Sequence, residues 1–194
     1  KKEVRQKNEM VLLAVNKPVG IVCTEEKKEK NNIIRFLNYP TRVTYIGRLD
    51  KDSEGLLLMT NNGDIINKMM RAGNQHEKEY KVTVNKPVTK EFIEKMAEGV
   101  PILNTVTRKC KVEMIGKYKF RIILTQGLNR QIRRMCEYLG YKVTRLERIR
   151  VMNITLGELK PGEYRKVTEA EIQKLYELIK DSSNETVIPK KQEQ

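Results

Sequence analysis

Apolar residues recur at helical spacing in four segments of the chain. Polar residues suited to capping begin three of them, at Asp64, at Thr89 and at the Thr-x-x-Glu capping box of 168–171. The apolar positions are Ile65, Ile66, Met69 and Met70; Phe92, Ile93, Met96 and Ala97; Ile132, Met135, Cys136 and Leu139; and Ile172, Leu175, Tyr176 and Ile179. We predict four amphipathic helices, the first ending near Gly73 and the second at a left-handed cap on Gly99.

Strand-like segments lie between these helices. An apolar run covers 10–15, and further β-type runs cover 42–46, 56–60, 78–84, 106–114, 118–125 and about 143–156. In one of them Tyr80, Val82 and Val84 alternate with Lys81 and Thr83, as in a sheet with one face covered by helices. The strands outnumber the helices and do not alternate with them regularly. The pattern therefore predicts an α+β fold with an antiparallel or mixed sheet.

The charge balance favours a polyanionic partner. Lys and Arg number 39 against 25 Asp and Glu, giving a formal net charge of +14 and a pI near 9.7. Nucleic acid is the first such partner to consider, although a lysine-rich proteome would produce the same excess. No apolar run approaches the ~20 residues that cross a bilayer, and the N-terminal residues lack the apolar stretch of a signal peptide. We expect a cytoplasmic protein that does not enter membranes.

The cysteine and histidine content argues against metal or disulfide chemistry. Cys23, Cys110 and Cys136 form no Cys-x-x-Cys pair and are odd in number. His76 is the sole histidine. Without a second imidazole or a paired cysteine it cannot form an ordinary zinc cluster, and a Ser-His-Asp triad would depend on this one residue. We interpret the cysteines as small buried residues.

An acidic loop is the first candidate for chemistry. Residues 45–55 contain Asp50 and Asp52 and stand between a β-type run and the apolar run 56–60. A polar loop between two core strands can present catalytic groups on a fixed scaffold. The alternative is an Asp-rich turn whose side chains cap backbone amides.

An arginine-rich segment is the second candidate. At 100° per residue, Arg130, Arg133 and Arg134 lie on the helix face opposite the apolar residues of 131–139. Three more arginines follow at Arg145, Arg148 and Arg150. This clustering suits a phosphate-binding surface, and the alternative is a solvated helix face.

These segments carry a family resemblance. Residues 47–56 (GRLDKDSEGL) are similar to the catalytic motif of the bacterial rRNA pseudouridine synthases of the RsuA/RluB/RluE/RluF group. The other motifs of the group resemble, in the same order, residues 16–20, 78–80 and 131–135. The resemblance covers roughly residues 10 to 180, and the run from 71 to 103 is most similar to the RluF branch, whose members act on 23S rRNA.

The resemblance implies a reaction and catalytic roles. Converting uridine to pseudouridine breaks the C1′–N1 bond, turns the uracil and joins C1′ to C5, without cofactor, metal or redox step. Asp50 is the expected catalytic carboxylate, Arg133 the opposite charge expected beside it, and Tyr80 the residue expected against the target base. Read from spacing alone, Tyr80 is an ordinary core tyrosine. Whether Asp50 attacks the sugar, adds to the base or assists elimination remains open.

The resemblance also implies RNA contacts. These are expected at Lys17, Arg48, Lys78, Asn129, Arg130 and Arg134. Arg48 is expected to fill the gap left by a flipped uridine, or alternatively to form a salt bridge with Asp50 or Asp52. Lys17 is expected to meet a phosphate or a carbonyl of the catalytic loop. Asp52 is expected to brace that loop, and His76 to be RNA-facing or structural.

At the level of domains, the resemblance implies the pseudouridine synthase fold. This is an α+β fold with a mixed, largely antiparallel central sheet, flanked by helices and loops, and an active-site cleft between two sublobes. Members usually carry an N-terminal S4-type RNA-binding module, so residues 1–9 are the expected linker from such a module, 10–181 the catalytic domain and 182–194 a disordered tail. We expect a monomer that needs no cofactor and acts on RNA, with 23S rRNA as the first substrate.

Other functions remain open at this point. The same chemistry on 16S rRNA or tRNA is one alternative, and a non-catalytic RNA-binding module is another. A glycoside hydrolase would also use carboxylates such as Asp50, Asp52 and Glu54 at a C1 bond. The chain has no Trp and three Phe, so it offers few of the aromatic platforms that usually flank a sugar.

Overall fold

The described part of the chain folds into five helices and eleven strands. The structure is a computed structural model that describes residues 9–71 and 75–180. The helices are α1 (Ile33–Leu37), α2 (Gly63–Met70), α3 (Lys90–Glu98), α4 (Gln131–Tyr138) and α5 (Glu169–Ile179). The strands are β1 (Leu12–Lys17), β2 (Thr44–Ile46), β3 (Glu54–Thr60), β4 (Lys78–Val84), β5 (Pro101–Ile102), β6 (Thr105–Val106), β7 (Lys111–Gly116), β8 (Lys119–Leu124), β9 (Val143–Val151), β10 (Ile154–Thr155) and β11 (Tyr164–Lys166). The tail expected over 182–194 and, apart from Glu9, the linker expected over 1–9 lie outside the described residues.

One nine-stranded sheet forms the centre of the molecule. Its order is β11-β1-β3-β9-β4-β8-β7, with β10 beside β9 and β2 beside β3. Within the described residues its neighbours are antiparallel except β3 and β9, which run parallel over two pairs, Glu54 with Glu147 and Gly55 with Arg148. The expected α+β class with a mixed, largely antiparallel sheet is confirmed. No helix in 9–71 and 75–180 is both long and apolar enough to cross a membrane.

Two cores lie on one face of this sheet, one on each side of the β3–β9 junction. The first joins β1 and β3 to α1 and includes Leu13, Val15, Ile33, Leu37, Leu57 and Met59. The second joins β4, β8 and β9 to α3 and α4 and includes Val82, Phe92, Met96, Phe120, Ile122, Met135 and Leu146. A third core covers the opposite face of β1 and β3 with α2 and α5. The first two cores form the two sublobes.

Register shows that the first two cores share a face. Leu57 belongs to the first core, and Gly55, two residues earlier on β3, therefore points the same way. Gly55 pairs with Arg148, which lies two residues from Leu146 of the second core. Directly paired residues project from the same side of a sheet. The boundary between the two sublobes on this shared face therefore lies at Gly55, and we call this boundary the gap.

Helix ends agree with most of the expected caps. The Thr89 side chain accepts a hydrogen bond from the Phe92 N–H, and the capping box over 168–171 is present. The expected N-cap at Asp64 is wrong, because the Asn62 side chain accepts from the amides of 64 and 65 and places Asp64 in the first turn. Gly99 is the C-cap of α3 but at φ 125° and ψ 142°, outside the left-handed helical region. The expected end of α2 near Gly73 lies outside the described residues.

Helix α1 and the short strands β5 and β11 were not predicted, and two pairs of strands were each predicted as one continuous strand. Helix α1 has five residues, little more than one turn, so it shows no periodic pattern, although Asn32 caps it through the Arg35 N–H. The expected strand over 106–114 divides into β6 and β7. The expected strand over 143–156 divides into β9 and β10 at Met152, which has a positive φ of 54°.

Gly55 is required at the junction, and its substitution tests this. Its φ is 108°, and a Cβ built there would lie 2.2 Å from the Arg148 carbonyl oxygen. Gly55→Ala should therefore lower the free energy of unfolding by about 2–4 kcal/mol, because β3 and β9 would have to separate. Gly63→Ala is the matched control, since its Cβ would meet nothing within 4 Å. Urea denaturation measures both variants, and equal stability would contradict the close approach.

Candidate active site

A lateral row of residues crosses the sheet at the point where the acidic loop enters β3. Lys17 of β1 pairs with Gly55 of β3, Gly55 pairs with Arg148 of β9, and Arg148 pairs with Tyr80 of β4. Paired side chains share a face of the sheet. Lys17, Arg148 and Tyr80 therefore lie on the face of the sheet that the two sublobes share.

The acidic loop is fixed above this row by backbone and core contacts. Leu49 is buried, and its N–H donates to the Cys23 Sγ at 3.5 Å. The Lys51 carbonyl accepts the Gly20 N–H at 2.8 Å, which ties the loop to the first-motif turn. The Ser53 N–H donates to the Asp50 carbonyl at 3.0 Å. Asp50 is thus held in a closed turn while its side chain remains 40% exposed.

Two arginines reach this loop from the start of α4. Arg130 donates from both terminal nitrogens to the Asp52 carboxylate, at 3.1 and 2.9 Å, and its Nη1 lies 3.4 Å from Asp50 Oδ2. Arg133 donates from Nη2 to the Asp52 carbonyl at 2.8 Å and to Ser53 Oγ at 3.3 Å. The loop and α4 belong to different sublobes, so these contacts bridge the gap.

The expected ion pair between Asp50 and Arg133 is wrong in this structure. Among the described residues the cation paired with Asp50 is Arg130, whereas Arg133 lies 3.6 Å from Asp52 Oδ2. The cause is the backbone at Arg130, which is the N-cap of α4 in the left-handed region at φ 48° and ψ 39°. This conformation places Arg130 outside the helix, over both carboxylates. Arg133 lies inside the first turn and meets the loop backbone instead.

The electrostatics of the loop follow from these contacts. The hydrogen bonds from Arg130 hold the pKa of the Asp52 carboxyl below its ordinary value, and Arg133 adds to this effect. The same hydrogen bonds raise the pKa of Arg130. Asp52 therefore stays ionised as the brace of the loop. The Asp50 Oδ1 atom has no hydrogen-bond or ion-pair partner among the residues of 9–71 and 75–180.

Lys17 differs from its expected role. Its side chain is fully buried, and its Nζ donates to the Pro18 carbonyl at 2.8 Å and the Ile21 carbonyl at 2.7 Å. Burial lowers the pKa of this amine, and nearby carboxylates including Asp50 oppose that effect. A direct contact with phosphate is incompatible with this burial. Lys17 instead stabilises the turn that holds the acidic loop, through carbonyls of its own motif.

The other expected RNA contacts lie at the surface of the site. Arg48 is exposed and forms no ion pair with any described residue. The salt bridge with Asp50 or Asp52, which was the alternative role expected for Arg48, is therefore not formed. Arg134 donates from Nε to the Asn129 carbonyl at 2.9 Å and from Nη2 to Asn129 Oδ1 at 2.8 Å. These two residues thus form one unit at the turn before α4.

Lys78 and His76 lie at the other edge of the site. Burial and the adjacent charge of Arg148 together lower the pKa of Lys78 to about 8. His76 is buried, its Nδ1 lies 3.4 Å from the Met69 carbonyl, and burial lowers its pKa. Burial and the Met69 contact favour the structural role, which was one of the two expected for His76. Within the described residues no group of three or more His, Cys, Asp or Glu side chains could hold a metal ion.

Three residues of the site had no assigned role at the sequence level. Cys23 accepts the loop amide of Leu49, Ser53 contacts Arg133, and Arg148 lies beside Tyr80. Arg148 was visible only as a member of a basic cluster. Ser53 is buried where the loop enters β3, and no pattern in the sequence predicts the burial of this polar residue.

The chain belongs to the RNA pseudouridylate synthase family. The family model with that description matches residues 11–138, which include the acidic loop, Tyr80 and all of α4. The family expected from the four motifs is confirmed.

Individual relatives agree with this assignment. The chain is 58% identical to the dual-specificity RNA pseudouridine synthase RluF of Salmonella typhi and 57% identical to that of Escherichia coli K12, in each case over 94% of its own length. It spans 63% of the length of these relatives. It is 36% identical to ribosomal small subunit pseudouridine synthase A of Escherichia coli K12, over 81% of this chain and 71% of that one.

Solved structures give the same result for the fold. A crystal structure of a pseudouridylate synthase superposes with a TM-score of 0.80 at 33% identity, covering 86% of this chain and 74% of the other. An H/ACA RNP bound to a substrate RNA containing 2′-deoxyuridine shares the fold at a TM-score of 0.56 and 19% identity, over 80% of this chain and 51% of that one.

Proposed function

We propose that this chain isomerises a uridine of RNA to pseudouridine, with Asp50 as its catalytic carboxylate. The observation that carries the proposal is the position of Asp50 in a closed turn above the gap between the sublobes. One of its oxygens faces Arg130 and the other has no partner among the described residues. A carboxylate that is fixed, charge-compensated and accessible is suited to act on a substrate atom.

The roles of the neighbouring groups follow from the chemistry. The reaction breaks the C1′–N1 bond and forms a C1′–C5 bond, so it needs a carboxylate near the sugar or base and a group that holds the detached uracil. Arg130 places a positive charge 3.4 Å from Asp50 Oδ2. Tyr80 offers an aromatic face against the base and a hydroxyl for proton movement at C5. Arg133 fixes the loop through its backbone.

Arg48 is the residue we assign to the space that a flipped uridine leaves in its stack. It is exposed at the entrance to the acidic loop and is not engaged by a described carboxylate. A uridine inside a helical stem is out of reach of Asp50 until it is extruded, and a long cationic side chain can occupy the vacated position. Arg134, Asn129 and Arg130 extend this surface along the start of α4.

The substrate we propose is 23S rRNA, bound by a monomer in the cytoplasm. The relatives named RluF support this branch by their 57–58% identity, and they are called dual-specificity enzymes. The lower identity of 36% to the small-subunit enzyme makes 16S rRNA the weaker alternative. The net charge of +14 supports an RNA partner in either case.

Release of tritium from RNA labelled at C5 of uridine tests the activity, because joining C1′ to C5 displaces the C5 hydrogen. We expect release from 23S rRNA transcripts that persists after dialysis against a chelator. RNA binding without release would instead identify a non-catalytic RNA-binding module. A chemical map of pseudouridine in 23S rRNA, 16S rRNA and tRNA, with and without the gene, then locates the substrate, and a lost site outside 23S rRNA would contradict the substrate assignment.

A further inference from the structure

Arg148 is a buried cation without a carboxylate. It is 3% exposed, and its Nε donates to the Leu56 carbonyl at 2.9 Å. Its terminal nitrogens have no hydrogen-bond or ion-pair partner among residues 9–71 and 75–180. In the described residues, the fully buried side-chain nitrogen and oxygen atoms without a hydrogen-bond partner are Arg71 Nε, Arg133 Nε and Asn153 Oδ1. The terminal nitrogens of Arg148 are not among them, so they are not fully buried. The free end of the guanidinium therefore reaches the solvent boundary at the gap.

A second cation without a carboxylate lies beside it. Lys78 lies two residues before Tyr80 on β4. The two pair with Leu124 and Ile122 of β8, which both belong to the second core, so Lys78 and Tyr80 project from the same face. The charge of Arg148 acts on Lys78 directly. No described carboxylate pairs with Lys78. The acidic residues before and after it in the chain are engaged elsewhere, since Glu77 pairs with Arg150, and Glu79 pairs with Arg150 and Arg121.

Two adjacent positive charges, one buried and one half-buried, are unfavourable on their own. Each loses hydration, and each repels the other, which is why burial and Arg148 together lower the pKa of Lys78. Such a pair is stabilised when an anion joins it, because the anion supplies both charge and hydrogen-bond acceptors. Asp50 and Asp52 do not play this part, since both face Arg130 on the other side of the gap.

We propose that Arg148 and Lys78 form a binding site for a backbone phosphate of the RNA strand, next to Tyr80 and across the gap from Asp50. This rests on the proposed function, because it takes RNA as the ligand. The terminal N–H groups of Arg148 are held in a fixed orientation by the Leu56 carbonyl, and a planar guanidinium matches a phosphate in geometry. A phosphate held there orients the nucleotide whose base meets Tyr80.

The salt dependence of binding to a decauridylate probe tests the site. We expect Arg148→Gln and Lys78→Gln each to weaken binding about tenfold at low salt. Each should also reduce the slope of log Kd against log salt by about 0.7, the value for one lost phosphate contact on single-stranded RNA. Arg165→Gln is the matched control, because Arg165 already pairs with Glu171 and lies opposite Ala14, on the other face of the sheet. Its slope should remain close to that of the parent chain.

The variants distinguish this site from a structural role. Far-UV circular dichroism and thermal unfolding establish that each variant is folded, and Lys78→Gln decides the matter if Arg148→Gln does not fold. An unchanged slope in a folded Lys78→Gln or Arg148→Gln chain would overturn the proposal. The assay measures binding alone, so a failure of uridine isomerisation would leave its outcome unaffected.

The pH dependence of the same binding gives a second readout. Lys78 faces Arg148 from β9 and His76 from the segment before β4, and neither supplies a negative charge. With a pKa of about 8 in the unbound chain, Lys78 loses its charge as pH rises through that value, so affinity should fall severalfold between pH 7 and 9. Lys78→Arg does not titrate in this range and should show a smaller decrease, which also corrects for titration of the RNA. Equal pH profiles would contradict the phosphate contact at Lys78.

Discussion

Asp50→Asn should abolish pseudouridine formation while leaving the fold and RNA affinity nearly unchanged. The amide keeps the shape of the side chain but removes its charge and its capacity to act as a nucleophile or base. We expect the single-turnover rate at saturating RNA to fall on the order of 10⁴-fold or more. Because the side chain is 40% exposed and its one ion pair is 3.4 Å long, unfolding in urea should change little.

Asp52→Asn is the matched control for this experiment. It changes the same functional group two residues away and leaves Asp50 intact. Asp52 holds Arg130 through two hydrogen bonds, so its loss should loosen the loop and slow turnover about 10- to 100-fold. Measurable activity near the parent rate in Asp50→Asn would refute the assignment of the catalytic carboxylate. An equal loss in both variants would mean that the two aspartates share the chemistry.

The repeating features of the sequence predicted the fold well. The apolar periodicity located four of the five helices, and the alternation in 78–84 located β4 with its buried face. These elements are local, because their patterns depend on residues within a few positions of one another. Helix α1 was missed because five residues are too few to show a helical period. The N-cap of α2 was assigned to Asp64 instead of Asn62 because neighbouring polar residues can compete for the same backbone amides.

The active site was predictable in content but not in pairing. The acidic loop and the arginines of α4 do meet, as the motifs implied. Which arginine meets Asp50 depends on the left-handed backbone of Arg130, and a non-glycine residue in that conformation is uncommon enough that spacing alone does not predict it. Helical-wheel geometry treats Arg130 as part of the helix face. In the structure it lies just outside the helix.

Long-range register explains the remaining differences. Arg148 reaches the site only because β3 and β9 pair in parallel over two residues, a contact between segments more than 90 positions apart in the chain. Lys17 appeared to be an RNA contact because it is charged and belongs to a motif, yet its position in the lateral row buries it under the turn of residues 17–21. Charge in a sequence indicates a polar partner, and backbone carbonyls satisfy that need as well as phosphate does.

The contacts between loop and helix make the site depend on both sublobes. The loop belongs to the sublobe of β1 and β3, whereas Arg130 and Arg133 come from the sublobe of β4, β8 and β9. A rigid-body shift of one sublobe would therefore change the geometry around Asp50 before it changed either core. The bridging hydrogen bonds to Asp52 and Ser53 oppose such a shift.

The second large effect is expected at Arg133, whose side chain is 11% exposed and bonded to the loop backbone. Arg133→Ala removes the hydrogen bonds to the Asp52 carbonyl and Ser53 Oγ and leaves these acceptors without their donor. We expect a loss of about 1–3 kcal/mol in the free energy of unfolding. We also expect the single-turnover rate at saturating RNA to fall about 100-fold, because a displaced loop no longer positions Asp50.

Arg134→Ala is the neighbouring control, and the two variants should separate kinetically. Arg134 contacts Asn129 at the surface, so its loss should weaken RNA binding and leave the rate at full RNA occupancy close to that of the parent. Single-turnover rates and Kd values measured on the same RNA distinguish the two effects. A parent-like rate for Arg133→Ala would show that Arg130 alone holds the loop, and a large rate loss for Arg134→Ala at saturation would mean that the turn before α4, rather than Arg133, positions Asp50.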